Sequence, residues 1–290
     1  MPMKSPEPVA SDSAALDHAV INVGRRLDEA AEIYRRLGFS LTDRGHHTIG
    51  SSNHLAMFRT TYLELLGFEP PREPVTAGLL SGPPGLSGLA LKTRDSDGLY
   101  RQLAASGLAV EPPVSFSRPV ELAHETRDAS FKVIWLEPGT VPFGRVFFCE
   151  HLTPELVWRP EWQEHANGAI EIVHVTIATA DPIRSAQAVQ RLTGISAWRE
   201  TADGLDVGFG ATQLRMWSPD TVRQRLGAAW NEGAIETDRM VGLGIRSHSL
   251  QAVEHVLAEG GIPVADRRDD AVVVASTDAL GVVIEFVAWT

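Results

Sequence analysis

The sequence is poor in three things that narrow its function. It has one cysteine, Cys149, in 290 residues, so neither an intrachain disulfide nor a multi-cysteine zinc site can form. It has no basic run longer than Arg25-Arg26 or Arg35-Arg36, and its formal charge is −11. Neutralising phosphates requires clustered Lys and Arg, so a nucleic-acid partner is not expected. No apolar stretch approaches the roughly twenty residues needed to cross a bilayer, and membrane insertion is not expected either. Several reaction motifs are also absent: there is no G-x-S-x-G elbow, no G-x-x-x-x-G-K-[ST], no H-E-x-x-H and no C-x-x-C. The pairs in "GFGATQ" and "GLGIRS" are too short for a dinucleotide fingerprint. The opening "MPMKSPEPVASDSAA" mixes Pro, Ser and charges without a signal-length apolar core. Residues 1–14 are therefore expected to be a loose tail, and the protein to be cytoplasmic.

What is present is a repeat. "LDHAVINV" (16–23) alternates like a half-buried strand, with Leu16, His18, Val20 and Asn22 on one face. "RRLDEAAEIYRRLGF" follows with helical spacing and a stop at Gly38. Strands are then predicted within "HHTIGSSNHLAMF" and "TTYLELLGF", and "GFEPPREP" breaks the pattern. The same order returns from Ile170 to Pro219, with His174 opposite His18. "GLALKTRDSDGLYRQLAASGLAVEPP" and "GLGIRSHSLQAVEHVLAEGGIPVADR" form a second matching pair. The chain reads A, B, A′, B′. Two domains are expected, 15–153 and 169–290, joined by a packed connector over 154–168 that contains Trp158 and Trp162. With Trp198 and Trp217, these tryptophans are expected to be packing residues.

This order, with "LDHAVINV", "IYRRLGF" and "YLELLGF", resembles the vicinal oxygen chelate superfamily; "RGHHTIGSSNHLAMF" narrows the resemblance to its glyoxalase-like domain proteins. The resemblance implies an α+β fold of four βαβββ-type modules paired into two domains with curved mixed sheets. It also implies metal ligands on the first and last strands of modules, and a small-molecule substrate that chelates the metal through two oxygens. His18 and Glu64 occupy such ligand positions in the first module, and His174 and Glu285 are weaker counterparts in the second half. The other matching places do not supply ligands: Gly88 and Phe148 in the second module, Arg215 or Met216 in the third, Gly242 in the fourth.

A divalent Fe, Mn, Zn or Ni ion usually needs three protein ligands. A third would have to come from His46, His47, His54, His124, Glu150 or His151, while the second half offers only His248 and His255 beyond His174. Glu150-His151 reads more simply as the salt-bridged end of a strand. On the resemblance, His47, Asn53 and Tyr62 contact substrate, and Glu64 and His47 are the catalytic candidates. The expected function is an enzyme of isomerase, lyase or ring-cleaving dioxygenase type, acting on a small oxygen-rich molecule in the first-half cavity. The alternative is a metal-free protein that sequesters a small molecule, as resistance proteins of this superfamily do. A third role for the second half is that of a scaffold or the surface of a homodimer.

Overall fold

The computed structural model describes residues 15–69, 78–122, 124–195, 197–231 and 233–289. The expected tail at 1–14 and part of the "GFEPPREP" break lie outside these residues. The first half contains β1 (Leu16–Gly24), α1 (Leu27–Arg36), β2 (Gly45–His46), β3 (Ser52–Met57) and β4 (Tyr62–Gly67). It continues with β5 (Gly85–Lys92), α2 (Ser96–Ala105), β6 (Val114–Glu121), β7 (Thr126–Trp135) and β8 (Arg145–His151). These strands form one eight-stranded sheet in the order β2-β3-β4-β1-β5-β8-β7-β6.

The second half repeats it with β9 (Ala169–Ala178), α3 (Pro182–Thr193), β10 (Trp198–Thr201), β11 (Gly204–Phe209) and β12 (Thr212–Trp217). After α4 (Pro219–Leu226) come β13 (Arg239–Ser247), α5 (Leu250–Glu259), β14 (Asp266–Arg268), β15 (Ala271–Val274) and β16 (Val283–Ala288). The second sheet runs β10-β11-β12-β9-β13-β16-β15-β14, the same order as the first. Two curved mixed sheets with few helices give the α+β architecture of the vicinal oxygen chelate fold.

Local sequence explains the elements. α1 buries Leu27, Ala30, Ala31 and Tyr34 on one stripe, with Asp28 and Glu29 in its first turn and Arg35 and Arg36 in its last, both favourable to the helix dipole. α2 and α3 start at Asp95 and Asp181, whose side chains accept from the backbone of Gly98 and Arg184. The helix stripes pack on the backs of the sheets in one apolar cluster that runs through both halves. Tyr34 Oη donates to the Ala279 carbonyl at 3.2 Å across that junction, and the Phe39 and Phe286 rings stack there.

The even alternation expected for β1 fails at one residue. Leu16 pairs with Leu91 and His18 with Ala90, so Asp17 is an extra residue, a β-bulge. Leu16 therefore joins the helix-side core with Ala19 and Ile21, instead of sharing a face with His18. Asp17 and His18, though adjacent, meet through their side chains. The second half has a bulge in the same place: Ile172 pairs with Ile245 and His174 with Gly244. His18 and His174 thus hold the same position in matching sheets.

Candidate functional site

The free face of the first sheet curls until its ends meet. Thr48 N–H donates to the Ser117 carbonyl at 2.9 Å, tying the turn after β2 to β6 at the opposite edge. The cavity so formed measures about 40 Å3, so a ligand larger than a few waters needs its lining side chains to move. His18, His47, Asn53, Tyr62 and Glu64 all line it, together with Phe116, Arg118, Phe131, Trp135 and Phe147. The five residues singled out from the sequence are therefore brought to one wall. Asp17 behind His18 and Arg118 across the cavity were not among them. His46 and His124 are exposed, and His54 turns to the Thr42 carbonyl instead.

His18 is 3 % exposed and Glu64 7 %. His18 Nδ1 lies 2.8 Å from Asp17 Oδ2, and its Nε2 points at Glu64 Oε2 at 3.5 Å. Burial works against an imidazolium, but the hydrogen bonds and charges of Asp17 and Glu64 outweigh it and raise His18 to about 9. Burial likewise opposes the Glu64 carboxylate, yet the His18 bond and charge, with help from His47 and Asn53, bring it to about 2. The pair is ionised near neutral pH. Its ring stacks on Tyr62 with centroids 4.3 Å apart.

Asn53 donates from Nδ2 to Glu64 Oε1 at 2.6 Å and lies 3.2 Å from His47 Nε2. Both amide hydrogens are used, so Oδ1 faces the other way; the reverse orientation would set Oδ1 against the carboxylate. His47 holds Ser51 Oγ through Nδ1 at 2.8 Å. Burial keeps it neutral, with its pKa lowered to about 4 despite the Glu64 charge, and Nε2 is its acceptor.

Behind His18, Asp17 Oδ2 also takes His151 Nε2 at 2.9 Å. Glu150, by contrast, accepts from Ser96 N–H at the start of α2. The two residues at the end of β8 therefore serve different partners and do not pair with each other.

The ligand set for a divalent ion is incomplete on these walls. His18 and Glu64 are spaced like two neighbours around an ion, and Asp17 orients the histidine as second-sphere carboxylates do. The second module adds nothing. Phe147, one residue before the expected Phe148, stands where the second half has Glu285, while Phe148 belongs to the helix-side core. A side chain at Gly88 would run into Leu79 Cδ2 at 2.3 Å. Among the described residues, the one trio of His, Cys, Asp or Glu with ligating atoms within 4.8 Å is Asp17, Cys149 and His151. Asp17 there is already shared by two histidines, whose bonds to its Oδ2 a bound ion would have to displace. The residues present do not fit a three-ligand metal site.

The second-half counterpart is self-contained. His174 Nε2 lies 3.0 Å from Glu285 Oε2 and 3.0 Å from Arg215 Nη1, and Arg268 Nη2 donates to Glu285 Oε1 at 2.5 Å. Arg215 is the register equivalent of Glu64: Gln213 pairs with His174 as Tyr62 pairs with His18. Among the described residues, every buried side-chain nitrogen or oxygen without a hydrogen-bond partner lies in the first half. Such groups cost stability and call for an explanation.

The model of the family described as "Glyoxalase-like domain" matches residues 16–193. The chain belongs to the glyoxalase-like domain family. Solved structures agree on the fold. A hypothetical protein from Staphylococcus aureus superposes with a TM-score of 0.68 at 12 % identity, covering 95 % of this chain and 99 % of that one. A mutant of 4-hydroxymandelate synthase from Streptomyces coelicolor gives 0.60 at 13 % identity, with 97 % and 93 % covered. A xylose isomerase-like TIM barrel/4-hydroxyphenylpyruvate dioxygenase fusion protein gives 0.61 at 12 % identity, covering 98 % of this chain and 50 % of that one. No curated protein matches the sequence. Within this glyoxalase-like frame, no helix among the described residues is long and apolar enough to cross a membrane.

Proposed function

We propose that this glyoxalase-like protein is an enzyme of isomerase or lyase type that moves a proton on a small, oxygen-rich substrate held in the first-half cavity. The observation that carries the reading is the buried His18–Glu64 pair on the cavity wall, its members 3.5 Å apart and each held from behind, by Asp17 and by Asn53. His18 Nε2–H donates to a substrate carbonyl oxygen. Glu64 takes the proton from the adjacent carbon, and the C–H electron pair moves into the developing enolate. Returning the proton to a neighbouring atom completes an isomerisation; expelling a leaving group completes an elimination. When a substrate oxygen takes the His18 hydrogen, Glu64 loses that bond and gains basicity. Asn53 and His47 orient the carboxylate and substrate. A cytoplasmic setting agrees with the single, free and buried Cys149.

The test is deuterium uptake. The protein is incubated in D2O with panels of small 2-oxo and 2-hydroxy compounds, and the carbon-bound deuterium is read by NMR. Wild type should label at least one compound, and Glu64→Gln should lose the labelling about a hundredfold or more. Tight binding without any labelling would favour the second reading, a sequestering protein, which the apolar Gly88 and Phe147 positions support. Reconstitution with Fe, Mn, Zn and Ni followed by elemental analysis tests the metal: a stoichiometric ion would overturn the metal-independent mechanism.

A further inference from the structure

Across the cavity from His18, Arg118 is 3 % exposed. It sits on β6 between Phe116 and Val120, opposite Ala129 of β7. Its Nε and Nη2 have no hydrogen-bond partner among the described residues, and neither does Asn53 Oδ1. These orphans are neighbours. A Cβ built on Gly45 would lie 2.5 Å from Asn53 Oδ1, 2.7 Å from Arg118 Cδ and 3.3 Å from Arg118 Nε. The cavity wall therefore holds a buried cation with unpartnered donors beside one unpartnered acceptor, all shielded from water in the empty protein. The complement is an anion that also carries a hydroxyl.

We propose that Arg118 and Asn53 form the anchoring subsite for a hydroxy-carboxylic acid: the carboxylate accepts from Arg118 Nε–H and Nη2–H, and the hydroxyl donates to Asn53 Oδ1. This rests on the first-half cavity being the substrate site and adds the substrate class. Arginine suits the task because its planar fork meets a carboxylate with two parallel bonds. Glu64 pulls on the Arg118 charge but makes no hydrogen bond to its Nε or Nη2, its oxygens being held by His18 and Asn53. The rings of Phe116, Phe131 and Phe147 leave an apolar lining for the body of the acid. Asn53 also bonds Glu64 at 2.6 Å, so the hydroxyl end of the acid lies beside the His18–Glu64 pair.

Isothermal titration of the full chain at pH 7 tests it with three matched probes: 3-phenyllactate, 3-phenylpropanoate and 3-phenyllactamide. Wild type should bind 3-phenyllactate at least about tenfold more tightly than the neutral amide, and about three- to tenfold more tightly than the acid without the hydroxyl. Arg118→Met should abolish the preference for acid over amide. Gly45→Ala, whose Cβ would press on both Asn53 Oδ1 and Arg118 Cδ, should weaken both preferences. Equal binding of acid and amide by wild type, a preference that survives in Arg118→Met, or no binding of the acid at millimolar concentration would each overturn the assignment. Binding with the stated preferences but without deuterium uptake would retain the subsite and reject the proton-transfer reading.

Discussion

If Arg118 is kept for a ligand, the empty protein should be more stable without it. In Arg118→Met an apolar side chain of similar length lies against Phe116, Phe131 and Asn53. The variant removes two N–H groups that have no partner among the described residues, each costing about 1–3 kcal/mol when buried. It also removes a charge that burial already pulls below the ordinary arginine pKa, against the pull of Tyr62 and Glu64. Part of the gain is lost because methionine reproduces the packing of the guanidinium stem imperfectly. A net stabilisation of about 1–3 kcal/mol remains, comparable with that from replacing buried ion pairs by apolar groups. In a chain of this size it should appear as a rise of about 2–8 °C in the midpoint of calorimetric unfolding. The same concentration of hydroxy acid should raise the wild-type midpoint more than that of Arg118→Met. A variant destabilised by more than about 1 kcal/mol would refute the reasoning, because it would show that the guanidinium is satisfied and structural.

Three further outcomes follow from the two half-sites. His18→Ala should weaken binding of 3-phenyllactate about tenfold or more, while His174→Ala changes it less than about twofold, both folded by circular dichroism; equal losses would place the site in the wrong half. The stabilisation that Glu64 brings relative to Glu64→Gln should depend on pH in both directions. His18 is raised from 6.5 to about 9 and Glu64 lowered from 4.5 to about 2, so the benefit is full between the two unperturbed values. It fades as pH rises through about 9 and as it falls through about 2, and a difference in denaturant unfolding that stays flat from pH 6 to 10 would deny the ionised pair. Gly244→Ala should destabilise the second half by about 3 kcal/mol or more through overpacking, since its Cβ would come 1.9 Å from His174 Cε1; an unchanged midpoint would mean that the ring has room to leave.

Much of this is legible in the sequence, because periodicity and repetition carry fold information. The order of strands and helices placed His18, Asn53, Tyr62 and Glu64 on facing segments, and the repeat put His174 in register with His18. What escaped notice depends on geometry that alternation does not encode. A bulge leaves no residue signature in "LDHAVINV", so Asp17 counted as outward and Leu16 as a cavity residue. Phe148 was one position off because the parallel register of β5 with β8 is set in three dimensions. Arg118 had a signal: in "VSFSRPVE" it falls between Phe116 and Val120 on one face, with Pro119 on the other. An arginine on the apolar face of a strand is costly unless it has a task. That task became visible only when the far edge of the sheet closed on the turn at Thr48.

The bulge in β1 also separates what the two halves share from what distinguishes them. Both first strands carry the extra residue at the same step, immediately before the histidine. In the second half that residue is Val173, and in the first it is Asp17. A kink common to both copies is part of how the sheet is built, whereas an acid placed in only one of them tunes the histidine beside it. Comparisons with relatives should therefore treat this position as an insertion with its own identity: an acidic residue there marks a histidine held charged, and an aliphatic one marks a copy that keeps the architecture without the proton.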